Sequence, residues 1–225
     1  MNILRIWRAV LDTFFPPLCI KCKNHLKNEE KSHLLCRTCF DSININRVII
    51  RPDKDTTLFA VGRYDDIALR ELIHCLKYNK FTGARNTIRA LIKKYLSEID
   101  LVAETGKDAI LIPIPLHPAR RRERGFNQSE IIATELSRLT GLRVDSTILC
   151  RVKNIKPQIE KRSEEARKEN VKDAFEINPI GYSLLAKNLI LVDDVYTSGA
   201  TMNEAIRALK HAGAKNIFGF VIGKT

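Results

Sequence analysis

No apolar run in the 225-residue sequence approaches the roughly 20 residues needed to cross a bilayer, so no integral membrane segment is expected. The terminal stretch MNILRIWRAVLDTFFPPLC is interrupted by Arg5, Arg8 and Asp12, and no small-residue cleavage site follows it, which argues against a secretory signal. A cytoplasmic, reducing location is the resulting expectation. A Walker phosphate loop is also missing: the terminal GKT has Phe218, not glycine, five positions before Gly223. Aromatic residues make up only 7% of the chain. Those near basic residues are Tyr78, Phe81, Tyr95 and Phe126, a thin basis for stacking nucleobases. Negative charge is the other shortage. Against 26 Asp and Glu stand 38 Lys and Arg, and the net charge of +12 favours nucleic acid, phosphates or an acidic membrane surface as partners. With 44% hydrophobic residues the chain is neither disordered nor fibrous.

In the N-terminal stretch, Ile3, Ile6, Trp7, Val10, Leu11 and Phe14 fall on one face of an amphipathic helix. That face can dock on the protein's own body, on a partner or on a membrane. Next come two Cys-x-x-Cys pairs, Cys19 with Cys22 and Cys36 with Cys39, separated by thirteen residues. This spacing brings four thiolates into a tetrahedron that suits structural zinc, with no open position for substrate. Two disulfides are the alternative, and a reducing compartment disfavours them. His25 and His33 are not needed as ligands. Cys75 and Cys150 are expected to be small buried apolar side chains.

After Pro52 the pattern alternates between strand and helix. Strands are expected at TLFAVGRY, AILIPIPL from Ala109, LRVDSTIL, LILV and NIFGFVI. Helices are expected at DDIALRELIHCLKYN, with Asp65 or Asp66 near its start and Ile67, Leu72, Ile73 and Leu76 facing inward, and at ARNTIRALIKKYLSEI, through Ile88, Leu91, Ile92 and Leu96. A third begins at Asn127, with Glu130 completing a capping-box-like start and Gly141 a stop. A fourth runs from Thr201 to Ala212. The fold class is therefore α/β, a mainly parallel sheet flanked by helices over residues 51–225, with a small zinc-binding module in residues 1–50.

Ligands of such sheets bind beyond the carboxyl ends of the strands. LILVDDVYTSGATM puts Asp193 and Asp194 there, at the exit of Leu189–Val192. Thr197, Ser198, Gly199, Ala200 and Thr201 then lead into a helix N-terminus, where unpaired amides and the dipole attract phosphate. Two carboxylates that accept from vicinal hydroxyls, beside a phosphate loop, fit a ribose 5-phosphate. A receiver domain also has an acidic pair after a strand, but too few residues follow here to complete one.

LILVDDVYTSGAT resembles the phosphoribosyl-pyrophosphate (PRPP) signature of type I phosphoribosyltransferases. PIPLHPARRRERGFNQ, together with the cysteine pairs, is similar to the ComF family. The resemblance covers nearly the whole chain and includes Gln158, Arg167, Asn170, Ala174 and Phe175. Lys23 departs from it, where a glycine often follows the first cysteine pair. The resemblance implies a zinc-knuckle module on a phosphoribosyltransferase fold, with magnesium accompanying PRPP. It also implies a role in natural transformation on incoming single-stranded DNA, together with other DNA-uptake proteins.

Arg120, Arg121, Arg122 and Arg124 follow the strand at Ala109, where type I enzymes carry a pyrophosphate loop, and guanidinium forks suit phosphate oxygens. A solvated charge run is the plainer alternative. The basic stretch from Arg151 to Asn170 reads as a hood loop over the ligand or as a linker. Two functions follow: a DNA-processing factor that uses the phosphoribosyl site for a nucleotide-like ligand, or a transferase with an unknown acceptor. In the latter, Asp193 and Asp194 stabilise the oxocarbenium-like state and no nucleophile is required.

Overall fold

The structure, a computed structural model, describes residues 16–46, 49–51, 56–78, 82–153, 171–184 and 187–225. The expected N-terminal helix and most of the hood, including Gln158, Arg167 and Asn170, lie outside these residues.

Five strands form one sheet in the order β1-β7-β6-β2-β3, and every neighbouring pair is parallel. They are β1 (Thr56–Arg63), β2 (Ile110–Pro113), β3 (Arg143–Val144), β6 (Leu189–Tyr196) and β7 (Ile217–Lys224). β4 (Leu149–Arg151) and β5 (Phe175–Ile177) make a separate antiparallel pair. Near-continuous apolar runs in β1, β6 and β7 are what strands covered on both faces require.

Alternation along the strands divides the core. Phe59, Val61, Leu111, Ile190, Val192, Phe220 and Ile222 pack with helices α2 (Ile67–Tyr78), α3 (Thr82–Leu96) and α6 (Gln128–Thr140). The intervening Leu58, Ala60, Ile112, Leu189, Leu191 and Val221 pack with α7 (Ala200–His211) and with Ile148, Leu149, Ala174 and Phe175 of the β4–β5 region. Each fully buried Leu, Ile or Phe contributes about 1.5–3 kcal/mol of transfer free energy. Together they fix the carboxyl edge of the sheet as a rigid platform.

The cysteine-bearing segment joins the first of these cores through Cys19, Leu26, Leu35, Cys39 and Ile43. It is anchored to α3 by polar bonds as well: Leu34 N donates to Thr87 Oγ1 (3.0 Å), Asn86 Nδ2 to Ser32 O (3.0 Å) and Lys94 Nζ to Ile43 O (3.0 Å). No helix among the described residues is long and apolar enough to cross a membrane.

Several local expectations fail for identifiable reasons. LRVDSTIL is not one strand. The Asp145 carboxylate accepts from Thr147 N (2.9 Å) and Thr147 Oγ1 (2.7 Å), closing a turn that separates β3 from β4. The arginine-rich stretch is a helix, α5 (Pro118–Arg124), not a loop: Pro118 suits its first turn, His117 Nδ1 accepts from Ala119 N (3.2 Å), and Gly125 ends it at φ 76°. Ile67 is 53% exposed, because it opens α2 ahead of the turns that meet the sheet. Cys150 is exposed on the short β4 strand and Cys75 is half-buried, so neither is the core side chain expected. Tyr95 is buried edge-on against Phe220, 5.9 Å between ring centroids, and cannot stack on a base.

Candidate functional site

β6 runs on through the acidic pair, so Asp193 and Asp194 lie within its last turn of pleat and not beyond its exit. Successive strand side chains point to opposite faces, and the two carboxylates accordingly have different partners. Asp193 Oδ1 accepts from Ser129 Oγ and from the Asp194 amide, each at 2.9 Å. Asp194 is 5% exposed, and its Oδ2 lies 3.0 Å from Lys77 Nζ at the end of α2. The angle of that approach leaves Oδ2 without a well-directed hydrogen bond, so the contact is ionic and acceptor capacity remains.

Burial, reinforced by the Asp194 charge, pushes Asp193 up to about 7, against the opposing pull of the Asp194 amide, the Ser129 hydroxyl and Lys77. The residue keeps some exposed surface, but its carboxylate is enclosed by these groups, and that enclosure sets its titration. Burial alone would lower Lys77; the Asp194 carboxylate outweighs it and holds the ammonium above its ordinary value.

Beyond β6, Gly199 adopts φ 73° and caps α7 with no side-chain hydrogen bond. A Cβ there would lie 2.3 Å from Tyr196 Oη, so conformation and space both require glycine. The first amides of α7 thus lack a side-chain cap, and they are flanked by Thr197, Ser198, Ala200 and Thr201, none of which is fully buried.

The four arginines of α5 do not converge. Arg121 pairs with Glu130 (3.0 Å), which draws Glu130 away from completing the capping box; Asn127 caps α6 alone, accepting from Ser129 N at 3.1 Å. Arg124 donates to Gln128 Oε1 (3.3 Å), and Arg122 is exposed. The Arg120 charge bears on Arg151 of β4. Burial first, then Arg120, lower the Arg151 value, while the Asp193 charge raises it. Arg151 Nε is buried without a hydrogen-bond partner, and the guanidinium lies over the Phe175 ring at 5.4 Å. Lys77, Ser129 and Arg151 were not singled out by the sequence. Lys77 and Ser129 reach the acidic pair from distant segments, the charge of Arg151 acts on Asp193 from β4, and only the run of polar residues opening α6 hinted at one of them.

The four cysteines come together as expected, all Sγ atoms lying within 4.8 Å of one another, with Cys22 and Cys36 at 3.8 Å. Sulfurs bound to one tetrahedral zinc at about 2.3 Å sit about 3.8 Å apart, so the residues fit that ion. Burial raises Cys36 and Cys39. For Cys19 burial also raises the thiol, but amides of Cys22, Cys36 and Lys21 outweigh it and bring it down to about 7. A divalent cation would relieve this crowding of ionisable sulfurs. Lys23 adopts φ 62° at the knuckle turn, the left-handed conformation that glycine would take without strain.

A family profile described as "Phosphoribosyl transferase domain" matches residues 128–222. Competence protein ComFC of Bacillus subtilis is 30% identical over 225 residues, covering 92% of this chain and 84% of that one. Competence protein F of Haemophilus influenzae is 26% identical over 221 residues, with 91% and 95% covered. DNA utilization protein YhgH of Salmonella typhi is 29% identical over 192 residues, with 81% of each chain covered. With kinship over most of its length, and a phosphoribosyl transferase profile over the part that holds the acidic pair, the chain belongs to the ComF family.

Proposed function

We propose that this chain is a DNA-uptake factor that binds single-stranded DNA and holds a ribose 5-phosphate ligand, PRPP or a close relative, at the carboxyl edge of its sheet. One observation carries the ligand reading: an acidic pair, half-buried at Asp193 and buried with spare acceptor capacity at Asp194, precedes an uncapped, glycine-led helix N-terminus on the same strand-to-helix connection. Asp193 and Asp194 accept from the ribose hydroxyls, and residues 197–201 take the 5-phosphate. Arg120 and Arg151 are the guanidiniums we assign to a pyrophosphate, with magnesium arriving on the ligand. The uptake role is supported by the names of the competence and DNA utilization relatives and by the net charge of +12.

A second reading, transfer of the phosphoribosyl group to a base or amine, is favoured by Arg151. A guanidinium whose buried Nε has no partner, and whose charge acts on Asp193, can steady pyrophosphate as it leaves an oxocarbenium-like centre. Calorimetric titration with magnesium PRPP tests the site. Asp193→Asn with Asp194→Asn should weaken binding by more than about 1.4 kcal/mol, tenfold, with the fold intact. Unchanged affinity would remove the assignment, and pyrophosphate release with an added acceptor would promote the transferase.

A further inference from the structure

Away from the ligand site, α3 and α6 share a buried charge that is over-compensated. The Glu135 side chain is 0% exposed, and three arginines surround it: Arg89 Nε at 2.5 Å, Arg138 Nη1 at 2.9 Å and Arg85 Nε at 3.7 Å. A single well-placed guanidinium compensates a buried carboxylate. The second and third add a local excess of two positive charges, and their side chains stay 40–52% exposed. The bonds to Glu135 use one N–H from Arg89 and one from Arg138, whereas a guanidinium carries five.

The helix that supplies two of these arginines has an unusual balance. α3, TGARNTIRALIKKYL, contains Arg85, Arg89, Lys93 and Lys94 and no carboxylate. Arg85, Arg89 and Lys93 follow one another at i, i+4 and i+8, a spacing at which like charges destabilise a helix. They form a row with a step of about 6 Å and a length of about 12 Å. Past Lys93 the row meets a groove where Glu29, Glu30 and Asp41 balance the cations, so the excess is confined to the arginine end. That end lies near the ligand site: Ser129, which holds Asp193, is six residues before Glu135 on α6, about 9 Å along the axis.

We infer that the Arg85–Arg89–Arg138 cluster binds the phosphodiester backbone of a single-stranded nucleic acid, leaving Arg120 to the ribose-phosphate site. This rests on the DNA-binding reading above and deepens it by giving the strand a surface of its own. Three guanidiniums fixed side by side by one carboxylate, with most of their N–H donors unused and their side chains half exposed, suit the successive phosphates of a single strand. Backbone contacts of this kind do not discriminate sequence.

The test is binding of a fluorescent oligothymidylate across a salt series, beside PRPP titration. Arg85→Gln with Arg138→Gln keeps Arg89 on Glu135. This variant should bind the strand at least about tenfold more weakly near physiological salt, with a salt slope shallower by about 1.4, two phosphates at 0.7 each. PRPP affinity should be unchanged. Should the pair unfold, Arg85→Gln alone, which gives up only the 3.7 Å contact, should flatten the slope by about 0.7. If the wild type binds the strand and these variants bind it equally well, this surface is refuted while the DNA reading stands. If the wild type binds no better than an unrelated protein of equal charge, both fall. Displacement of the strand by oligoglutamate of equal charge would overturn the assignment in favour of an acidic protein segment.

Discussion

The ion pair between Lys77 and Asp194 joins α2 to the ligand-binding edge, and its removal has a calculable cost. At 3.0 Å, two unit charges attract by ~5 kcal/mol for an effective dielectric of about 20. Desolvation returns much of that, and Lys77 keeps 27% of its side chain exposed while Asp194 keeps 8%. Lys77→Met leaves Asp194 buried beside Asp193 without a cation, which should cost about 2–3 kcal/mol, below the usual range for a fully buried pair. Asp194→Asn should cost less, because the ammonium can turn to water. The double variant should be more stable than the sum of the two losses implies, with a coupling of about 1–2 kcal/mol. Urea unfolding of all four proteins at constant pH, with equal denaturant slopes, gives the coupling directly. A value below about 0.5 kcal/mol would refute the claim that Lys77 is the counter-ion of the acidic pair.

Two further outcomes follow from the site chemistry. Purified protein should carry about one zinc per chain, and Cys36→Ser should lower both metal content and stability; less than about half an equivalent in the wild type, without chelators, would count against the metal. Because Asp193 is raised to about 7 in the folded chain, its contribution to stability is full below the ordinary carboxylate range and is lost as pH rises through 7. Asp193→Asn removes this loss, so relative to the wild type it should gain about 1 kcal/mol between about pH 5 and pH 8, half of the linkage that falls in that window since the carboxylate can relax. Stability curves for the two proteins that run parallel over that range would show that Asp193 titrates normally.

Much of this molecule is written in short contiguous stretches. The cysteine spacing specifies a four-sulfur cluster because each Cys-x-x-Cys turn places two thiols on one side, and the structure closes all four to within 4.8 Å. Asp193, Asp194 and the small residues to Thr201 are legible as a ligand loop because strand, turn and helix start follow one another without a break. The apolar runs likewise announce a covered parallel sheet, and the positive φ of Lys23 is the strain that its departure from glycine suggests. Side chains near in space and far in sequence escape such a reading. Ser129 is 64 residues from Asp193, and Lys77 comes to Asp194 from α2. The charge run at Arg120–Arg124 shows the same limit: composition gives four cations, but only the helical turn of α5 sends Arg121 to Glu130 and Arg124 to Gln128. Local chemistry is fixed by neighbours along the chain, so the sequence alone determined the four-cysteine cluster, the acidic pair and the glycine-led turn into the helix that follows it. Which cations neutralise those carboxylates, and where surplus positive charge stays on the surface, depended on how helices pack across the sheet, and only the tertiary structure decided it.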